Sequence, residues 1–211
     1  MAYDLEEQEK IDALKAWWEE YGNLVVLAAL ACLITIAGFQ GWRYYKGQQI
    51  ERAGTLFSQL DQAEKASDAK KVRDIAAQII EKHASTPYAG MAALAAAKAA
   101  FTTGETEEAK KHLQWAMEKA REDEMREVAR LRLAGIFLDE KKYDEALKLL
   151  SAKTSDAYAA LSADLKGDVL AAQDKPVEAR AAYQLALDKS DAASRYRPLI
   201  ELKLDALGEA K

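Results

Sequence analysis

The residues that could carry out chemistry are few, and none of them has the spacing that chemistry would need. The chain has two histidines, His83 and His112, and one cysteine, Cys32. The histidines are neither one helical turn apart nor close in sequence to the cysteine, so they form no metal-ligand pattern. Acid pairs such as Asp61 and Glu64 have the spacing of an ordinary solvated helix face. The sequence therefore favours a binding or scaffolding protein over an enzyme, and it predicts no cofactor and no metal.

The composition predicts helices throughout. Of the 211 residues, 10 are Gly and 3 are Pro, while 50% are hydrophobic and 31% are charged. A chain rich in Ala, Leu, Lys and Glu with few helix breakers is typical of an all-α protein whose helices pack closely through small side chains. There is no basic stripe with interleaved aromatic residues, so nucleic acid is not an expected partner. No small-molecule substrate is predicted either.

One uninterrupted apolar run predicts a membrane anchor. Between Glu20 and Arg43 lie 22 residues without a formal charge, enough at 1.5 Å of rise per residue to cross the roughly 30 Å hydrocarbon core. A cleavable secretory signal would have a basic leader and a shorter apolar core, whereas this leader is acidic. We therefore predict a retained transmembrane anchor over residues 22–45 and an amphipathic segment over residues 1–21. A buried helix of a globular core is the alternative interpretation.

Aromatic side chains flank the apolar run on both sides, as in the interfacial belts of proteins that contact membrane lipid. Before the run, apolar residues from Leu5 to Tyr21 recur at intervals typical of an amphipathic helix that lies near the membrane surface or docks on a protein partner. After the run, Arg43 and Lys46 are placed to extend toward lipid headgroups. The predicted membrane-interface residues are Trp17, Trp18, Tyr21, Trp42, Arg43, Tyr44, Tyr45 and Lys46.

The charges do not decide which side of the membrane the rest of the chain faces. Residues 1–45 carry seven acidic and three basic residues, a net charge of −4, whereas the remainder is nearly neutral at −1. Three positive charges follow the run, on Arg43, Lys46 and Arg52, and three precede it, on Lys10, Lys15 and the terminal amine. The positive-inside rule weakens for long translocated domains, however, so both orientations stay open.

Three stretches after the apolar run align as helical hairpins: 93–120, 131–152 and 165–190. Each has a polar turn followed by a second helix that opens with Glu-Ala. The alanines of those pairs, Ala109, Ala146 and Ala179, are 37 and 33 residues apart, which brackets the 34-residue period of tetratricopeptide repeats. The predicted fold class is all-α: a single N-terminal transmembrane helix followed by a tetratricopeptide-like helical-repeat domain, an α-solenoid, over residues 46–211.

Further signals extend the repeat pattern in both directions. Small residues recur where the two helices of each hairpin must cross closely: Ala97, Ala134 and Gly167. Residues 50–84 predict another, degenerate hairpin that breaks near Ser67-Asp68, and the segment from Pro198 predicts a closing helix that covers the end of the stack. Thr86 followed by Pro87 predicts a capped helix start.

Such a stack offers a concave surface lined mainly by the first helix of each repeat. Repeat geometry predicts that Lys98, Asp164 and Asp168 lie on this surface among apolar residues. An apolar groove suits an apolar helix or an extended unfolded segment better than an acidic peptide tail. Any one of the apolar residues could instead face a neighbouring helix as part of the core. The predicted groove residues are Met91, Leu94, Phe101, Val128, Leu131, Leu138 and Leu161.

Several stretches together resemble one known family. They are KAWWEEYG before the apolar run, GWRYYKGQQ at its end, and STPYAGMAALAAAKAAF, LRLAGIFLDEKKYDEAL and AYAALSADLKGDVLAAQDKPVEARAAY in the repeats. With the acidic N-terminal tail, this pattern resembles the YfgM-type ancillary subunits of the bacterial Sec translocon over nearly the whole chain. The aromatic residues around the apolar run and the ADLKGD stretch, Ala163 to Asp168, are its most specific parts.

The resemblance implies a single-pass protein of the bacterial inner membrane with a cytoplasmic N-terminus and a periplasmic repeat domain. It also implies association with the SecYEG translocon and a PpiD-like periplasmic chaperone, and a role in passing exported unfolded polypeptides to periplasmic chaperones. The family offers no catalytic residues to transfer.

Two alternatives stay open from the residues alone. One is a membrane-tethered scaffold whose cytoplasmic repeats organise a regulator or secretion apparatus, and the other is an enzyme with a site assembled across repeats.

Overall fold

The computed structural model describes residues 2–208, and the side chains of residues 7–208. The described chain is helical and divides into two compact units, Met1–Gln49 and Ile50–Lys211. The predicted all-α fold class is confirmed, while the proposed boundaries at residues 21 and 45 stay predictions. The helices are α1 (Ala2–Lys65), α2 (Ala69–Lys82), α3 (Pro87–Thr102), α4 (Thr106–Lys119), α5 (Asp123–Asp139), α6 (Tyr143–Leu150), α7 (Asp156–Ala172), α8 (Pro176–Lys189) and α9 (Arg197–Ala206).

The first unit consists of a part of α1 whose apolar side chains are exposed. Leu27 is 71% exposed and Ile34 is 72% exposed, and the most apolar 18-residue window of the helix has a mean hydropathy of 2.2. A contiguous exposed apolar surface of this extent is unusual for a protein in water, whereas lipid suits it. By length and composition, α1 is therefore a candidate membrane span. The side chain of Leu5, part of the predicted amphipathic segment, lies outside the described residues.

The second unit is a row of helical hairpins. The end of α1 packs with α2 in one buried cluster, α3 pairs with α4, α5 with α6 and α7 with α8, and α9 packs against α8. The break between α1 and α2 falls at residues 66–68, which confirms the predicted degenerate hairpin. The predicted closing helix is α9, where Ile200 is 2% exposed and packs in the same buried cluster as Leu187.

The turns inside these hairpins share one backbone conformation. A residue with positive φ follows the first helix of each hairpin: Ser67, Gly104, Lys141 and Asp174. In every case its amide donates to the carbonyl three residues earlier, and the next amide donates to the carbonyl five residues earlier. This is the Schellman arrangement that ends helices in the left-handed conformation. Glycine occupies only one of the four positions, so the turns repeat more regularly in structure than in sequence.

The alanines that defined the repeat in the sequence are fully buried. Ala109, Ala146 and Ala179 each have 0% exposure, as expected for residues where helices approach closely. Gly167 shows how close this approach becomes in the α7–α8 hairpin. A Cβ atom at this position would lie 2.4 Å from Cδ1 and Cε1 of Tyr183, so the tyrosine ring already fills the space that any larger residue would need.

The starts of three helices depend on proline. Pro87, Pro176 and Pro198 lie in the first two positions of α3, α8 and α9, where a missing N–H breaks no helical bond and the fixed φ suits the helix. Thr86 occupies the N-cap position of α3 as predicted, but its hydroxyl makes no capping bond. Its Oγ1 donates instead to the His83 carbonyl oxygen at 2.7 Å. The predicted side-chain cap is therefore wrong, although the helix start is correct.

Gly135 and Gly167, which have different surroundings in the second unit, provide a matched test of helix packing. A Cβ at Gly135 would meet no other atom within 4 Å, in contrast to Gly167. We expect Gly167→Ala to destabilise the protein by about 1–3 kcal/mol because the methyl group overpacks the contact with Tyr183. Gly135→Ala should stabilise it by about 0.5–1 kcal/mol through helix propensity. Urea unfolding of the full chain in detergent measures both, and equal effects of the two substitutions would contradict the packing argument.

Candidate protein-binding groove

A groove lies between α3 and α5, the first helices of two successive hairpins. It has a volume of about 340 Å³, and its lining is mostly apolar. Because Gly135 has no side chain and a Cβ there would meet open space, the groove stays open at its centre. The residues that line the groove are Ala97, Lys98, Phe101, Leu113, Arg132, Gly135, Ile136 and Asp139.

Each wall of the groove is positioned by its helix. Phe101 lies in the last turn of α3 and remains 48% exposed, so its ring is available to a partner. Arg132 and Asp139 are seven residues apart on α5 and so point from one face of the helix. Ile136 and Leu113 are buried at the floor. The arrangement is an apolar depression with a phenylalanine at one wall and charged side chains at its rim.

An ion-pair cluster holds the C-terminal end of α5 beside α4. Lys110 Nζ lies 2.6 Å from Glu107 Oε1 and 2.7 Å from Glu140 Oε1. Glu140 also pairs with Lys142 at 2.8 Å. The hydrogen bonds from Lys110 and Lys142 lower the pKa of the Glu140 carboxyl. Since Glu140 directly follows Asp139, this cluster positions one end of the groove.

The predicted groove residues on α3 and α5 have different surroundings. Phe101 lines the groove. Leu94 is 8% exposed and belongs to the buried cluster between these helices, and Val128 packs against that cluster. Leu131 and Leu138 pack against a second buried cluster, toward α6 and α7. The structure therefore brings only Phe101, of these five, to the groove lining.

The two remaining predicted groove residues lie apart from the α3–α5 groove. Met91 is half-buried in the first turns of α3, and Leu161 is 39% exposed on α7. Any role of the seven residues in binding a partner stays a prediction. Sequence reasoning selected apolar residues and so missed Arg132, Gly135 and Asp139. The signal that could have found them is the glycine in the middle of the LRLAGIFLD stretch, where a position of the helix has no side chain.

Asp164 and Asp168, predicted to lie on the concave surface, are paired across helices. Lys203 Nζ of α9 lies 2.9 Å from both oxygens of Asp164 and 2.8 Å from the Asp168 carboxylate. The Tyr183 hydroxyl of α8 donates to Asp168 Oδ1 at 2.8 Å. These side chains join α7, α8 and α9, and they explain Asp164 and Asp168 of the ADLKGD stretch as parts of a helix-joining cluster.

The electrostatics of this cluster follow from partial burial. Burial raises the pKa of the Asp164 carboxyl, although Lys203 opposes the shift. Burial alone would lower the pKa of Lys203, but its bonds to the two carboxylates outweigh burial and raise it. Burial and the bond to Asp168 raise the pKa of the Tyr183 hydroxyl far above its usual value. One cation thus compensates two carboxylates in a partly desolvated site.

The predicted membrane-interface residues before the apolar run form an aromatic group. The ring centroids of Trp17 and Trp18 are 6.4 Å apart, and those of Trp17 and Tyr21 are 5.9 Å apart. All three side chains are exposed. Such amphipathic rings suit the headgroup level of a bilayer, so the interfacial role remains the prediction for them.

At the end of the apolar run, two cationic side chains lie over aromatic rings. Lys46 Nζ lies 3.8 Å from the Trp42 ring centroid, and the Arg43 guanidinium lies 5.8 Å from the Phe39 ring centroid. Tyr45 is exposed. The sequence predicted that Arg43 and Lys46 reach toward headgroups, and in the described structure both cations lie against aromatic rings of their own helix.

The Tyr44 hydroxyl, in the same interfacial group, accepts a hydrogen bond from Gln48 Nε2 at 2.8 Å. Tyr44 is 71% exposed, and the other aromatic residues of the predicted interface are exposed as well, whereas Lys46 is partly buried.

Together, the hairpin stack, its groove and the candidate membrane span define a helical-repeat protein of the tetratricopeptide-like class with one apolar N-terminal helix. Comparison with known proteins agrees with this class. A family model described as a tetratricopeptide repeat-like domain matches residues 15–209. No solved structure matches the chain.

Three curated relatives are each named ancillary SecYEG translocon subunit. The protein of Neisseria gonorrhoeae is 33% identical over 98% of this chain and 100% of its own length. That of Haemophilus influenzae is 28% identical over 88% of this chain and 91% of its own. That of Escherichia coli K12 is 26% identical over 95% of this chain and 96% of its own length. The chain belongs to the family of ancillary SecYEG translocon subunits, which confirms the resemblance found in the sequence.

The Lys203 cluster generates a prediction about pH. We expect Lys203→Met to destabilise the full chain by roughly 1–2 kcal/mol near neutral pH, because it leaves two partly buried carboxylates without their cation. A carboxyl whose folded pKa is raised favours folding more as the pH falls through that pKa. The deficit should therefore shrink at about pH 4.5, close to the ordinary range of carboxyl pKa values.

Urea unfolding at both pH values measures this deficit. Lys166→Met, which removes an exposed lysine from α7, is the matched control and should change stability little at either pH. A Lys203→Met deficit that is the same size at both pH values would contradict the proposed electrostatic origin.

Proposed function

We propose that this protein is an ancillary subunit of the Sec protein-translocation machinery that has no catalytic activity. Its anchor associates with the SecYEG translocon, and its repeat domain binds a PpiD-like, membrane-anchored periplasmic chaperone and helps pass exported unfolded polypeptides to periplasmic chaperones. The observation that carries this proposal is the similarity to proteins named ancillary SecYEG translocon subunit over nearly the full length of both chains. The helical-repeat fold supports a role in binding, since such stacks offer extended surfaces to partners.

The proposed topology is a single span in the bacterial inner membrane with a cytoplasmic N-terminus and a periplasmic repeat domain. The exposed apolar side chains of α1 support the span. The charge count leaves the orientation open, so the family supplies the argument for a periplasmic domain. In this arrangement the anchor contacts membrane lipid, and the hairpins are available to polypeptides that leave the channel.

The α3–α5 groove is the proposed site for a protein partner. Its floor is apolar, Phe101 is half-exposed at its wall, and Gly135 leaves space at its centre. Partners that lay an apolar face into a groove bind through side chains that enter such depressions. We therefore assign capture of the partner's apolar side chain to this groove.

Cysteine labelling tests the topology. In a Cys32→Ser background, a single cysteine at exposed Lys189 should react with a membrane-impermeant thiol reagent while the inner membrane is intact. A single cysteine at Glu9 should react only after that membrane is opened. The reverse pattern would contradict a periplasmic domain and support the cytoplasmic scaffold.

A bulky side chain in the groove tests the binding function. We expect the full chain, purified from native membranes, to carry SecYEG with it. Gly135→Phe should keep SecYEG but lose photo-cross-links from the groove to the chaperone or to exported polypeptides, because the ring occupies the open centre. At least a tenfold loss of cross-linked product is expected, the equivalent of about 1.4 kcal/mol.

Two variants control this experiment. Gly135→Ala leaves the groove open and should cross-link normally, and Gln114→Phe places the same ring on an exposed part of α4. Absence of SecYEG from the purified protein would overturn the translocon assignment. Undiminished cross-linking by a folded Gly135→Phe variant would overturn the groove as the binding site.

A further inference from the structure

Two charged side chains at the rim of the α3–α5 groove have no ion-pair partner among the residues that the structure describes. The Arg132 guanidinium contacts the Leu94 carbonyl oxygen at 3.5 Å and, among the described side chains, has no carboxylate partner. Asp139 likewise has no basic partner within the described chain. Arg73, by contrast, pairs with Glu105. Arg132 and Asp139 are both exposed and both line the groove.

The positions of these charges follow the helical repeat of α5. Arg132 and Asp139 are seven residues, or about 10 Å, apart along the helix axis. The open space at Gly135 and the apolar surface of Ile136 lie between them. Along one helix face the order is therefore a positive charge, an apolar depression and a negative charge.

A second helix beside α5 can match this order with the same period. Residues at positions i, i+4 and i+7 of a helix lie on one face. An acidic residue, a large apolar residue and a basic residue at these positions would meet Arg132, the depression and Asp139 respectively. A partner helix that runs in the opposite direction makes the same contacts if its acidic and basic residues exchange places.

The opposite wall adds an apolar contact and a weaker charge. Phe101 of α3 is half-exposed toward the groove, and aromatic side chains of this kind often anchor a partner. Lys98 also lines the groove, but its Nζ lies 3.3 Å from Glu64 Oε1, so its charge is already partly compensated. The uncompensated pair on α5 therefore dominates the charge pattern.

We propose that the groove binds an amphipathic helix of a partner protein whose one face carries an acidic residue, a large apolar residue and a basic residue at successive turns. The apolar side chain enters the depression over Gly135, and the end charges pair with Arg132 and Asp139. This inference rests on the proposed function of the groove and specifies the chemistry of its occupant.

The test uses the full chain in nanodiscs and fluorescently labelled alanine-based helices as probes. The matching probe carries Glu, Leu and Lys at positions i, i+4 and i+7, and a second probe carries Lys, Leu and Lys. Fluorescence anisotropy measures both affinities. We expect the matching probe to bind the unmodified protein at least about threefold more tightly, the equivalent of about 0.6 kcal/mol, which is the size expected of an exposed ion pair.

Arg132→Glu should invert that order, because both groove ends then carry negative charge. Lys189→Glu, which makes the same charge change at an exposed position of α8, should leave the order unchanged. A second version of the matching probe has a proline in the middle of its helix. It should bind at least tenfold more weakly than the matching probe without proline, since proline disrupts the helix. Equal or tighter binding of that proline probe would overturn the helical occupant in favour of an extended segment.

The outcomes separate the inference from the function on which it rests. If Gly135→Phe blocks both probes but Arg132→Glu does not change their order, the charge-matched helix is wrong and the groove remains a binding site. If Gly135→Phe blocks neither probe although the protein is folded, the groove itself is wrong as a binding site.

Discussion

Close approach of helices at positions that admit only small side chains is the constraint on which this structure depends. Ala109, Ala146 and Ala179 have no exposed surface, and Tyr183 occupies the space in which a Cβ of Gly167 would lie. Packing at this distance sets how each hairpin closes and where the next one lies. Because interiors are close-packed, a methyl group at such a position cannot be added without displacing a neighbour.

The same small residues have a second consequence where no neighbour fills the space. Gly135 lies on α5 between Arg132 and Asp139, and a Cβ there would meet nothing within 4 Å. Whereas Gly167 makes a tight contact possible, Gly135 leaves a depression beside the half-exposed Phe101. Two glycines in equivalent helices thus have opposite roles, one in stability and one in the shape of the candidate binding surface.

The repeat domain could be predicted well because its signals are local. Hairpin spacing, the break after Lys65 and the closing helix follow from small residues, turns and prolines that are adjacent in sequence. The left-handed turn residues were not predicted, because Ser67, Lys141 and Asp174 are not the glycine that this conformation usually selects. The two hydrogen bonds of each Schellman turn form there in spite of the local cost of the conformation.

The sequence alone determined the helical class, the hairpin period, the candidate membrane span and the family, since each depends on the order of residue types along the chain. Only the tertiary structure decided which face of α5 borders the groove, and it packed Leu131 and Leu138 against a buried cluster while Arg132 and Asp139 line the rim. It also decided that Lys203 compensates Asp164, 39 residues away. The physical reason is that both outcomes depend on how one helix is rotated and placed against another, and periodicity within a single helix does not specify that rotation.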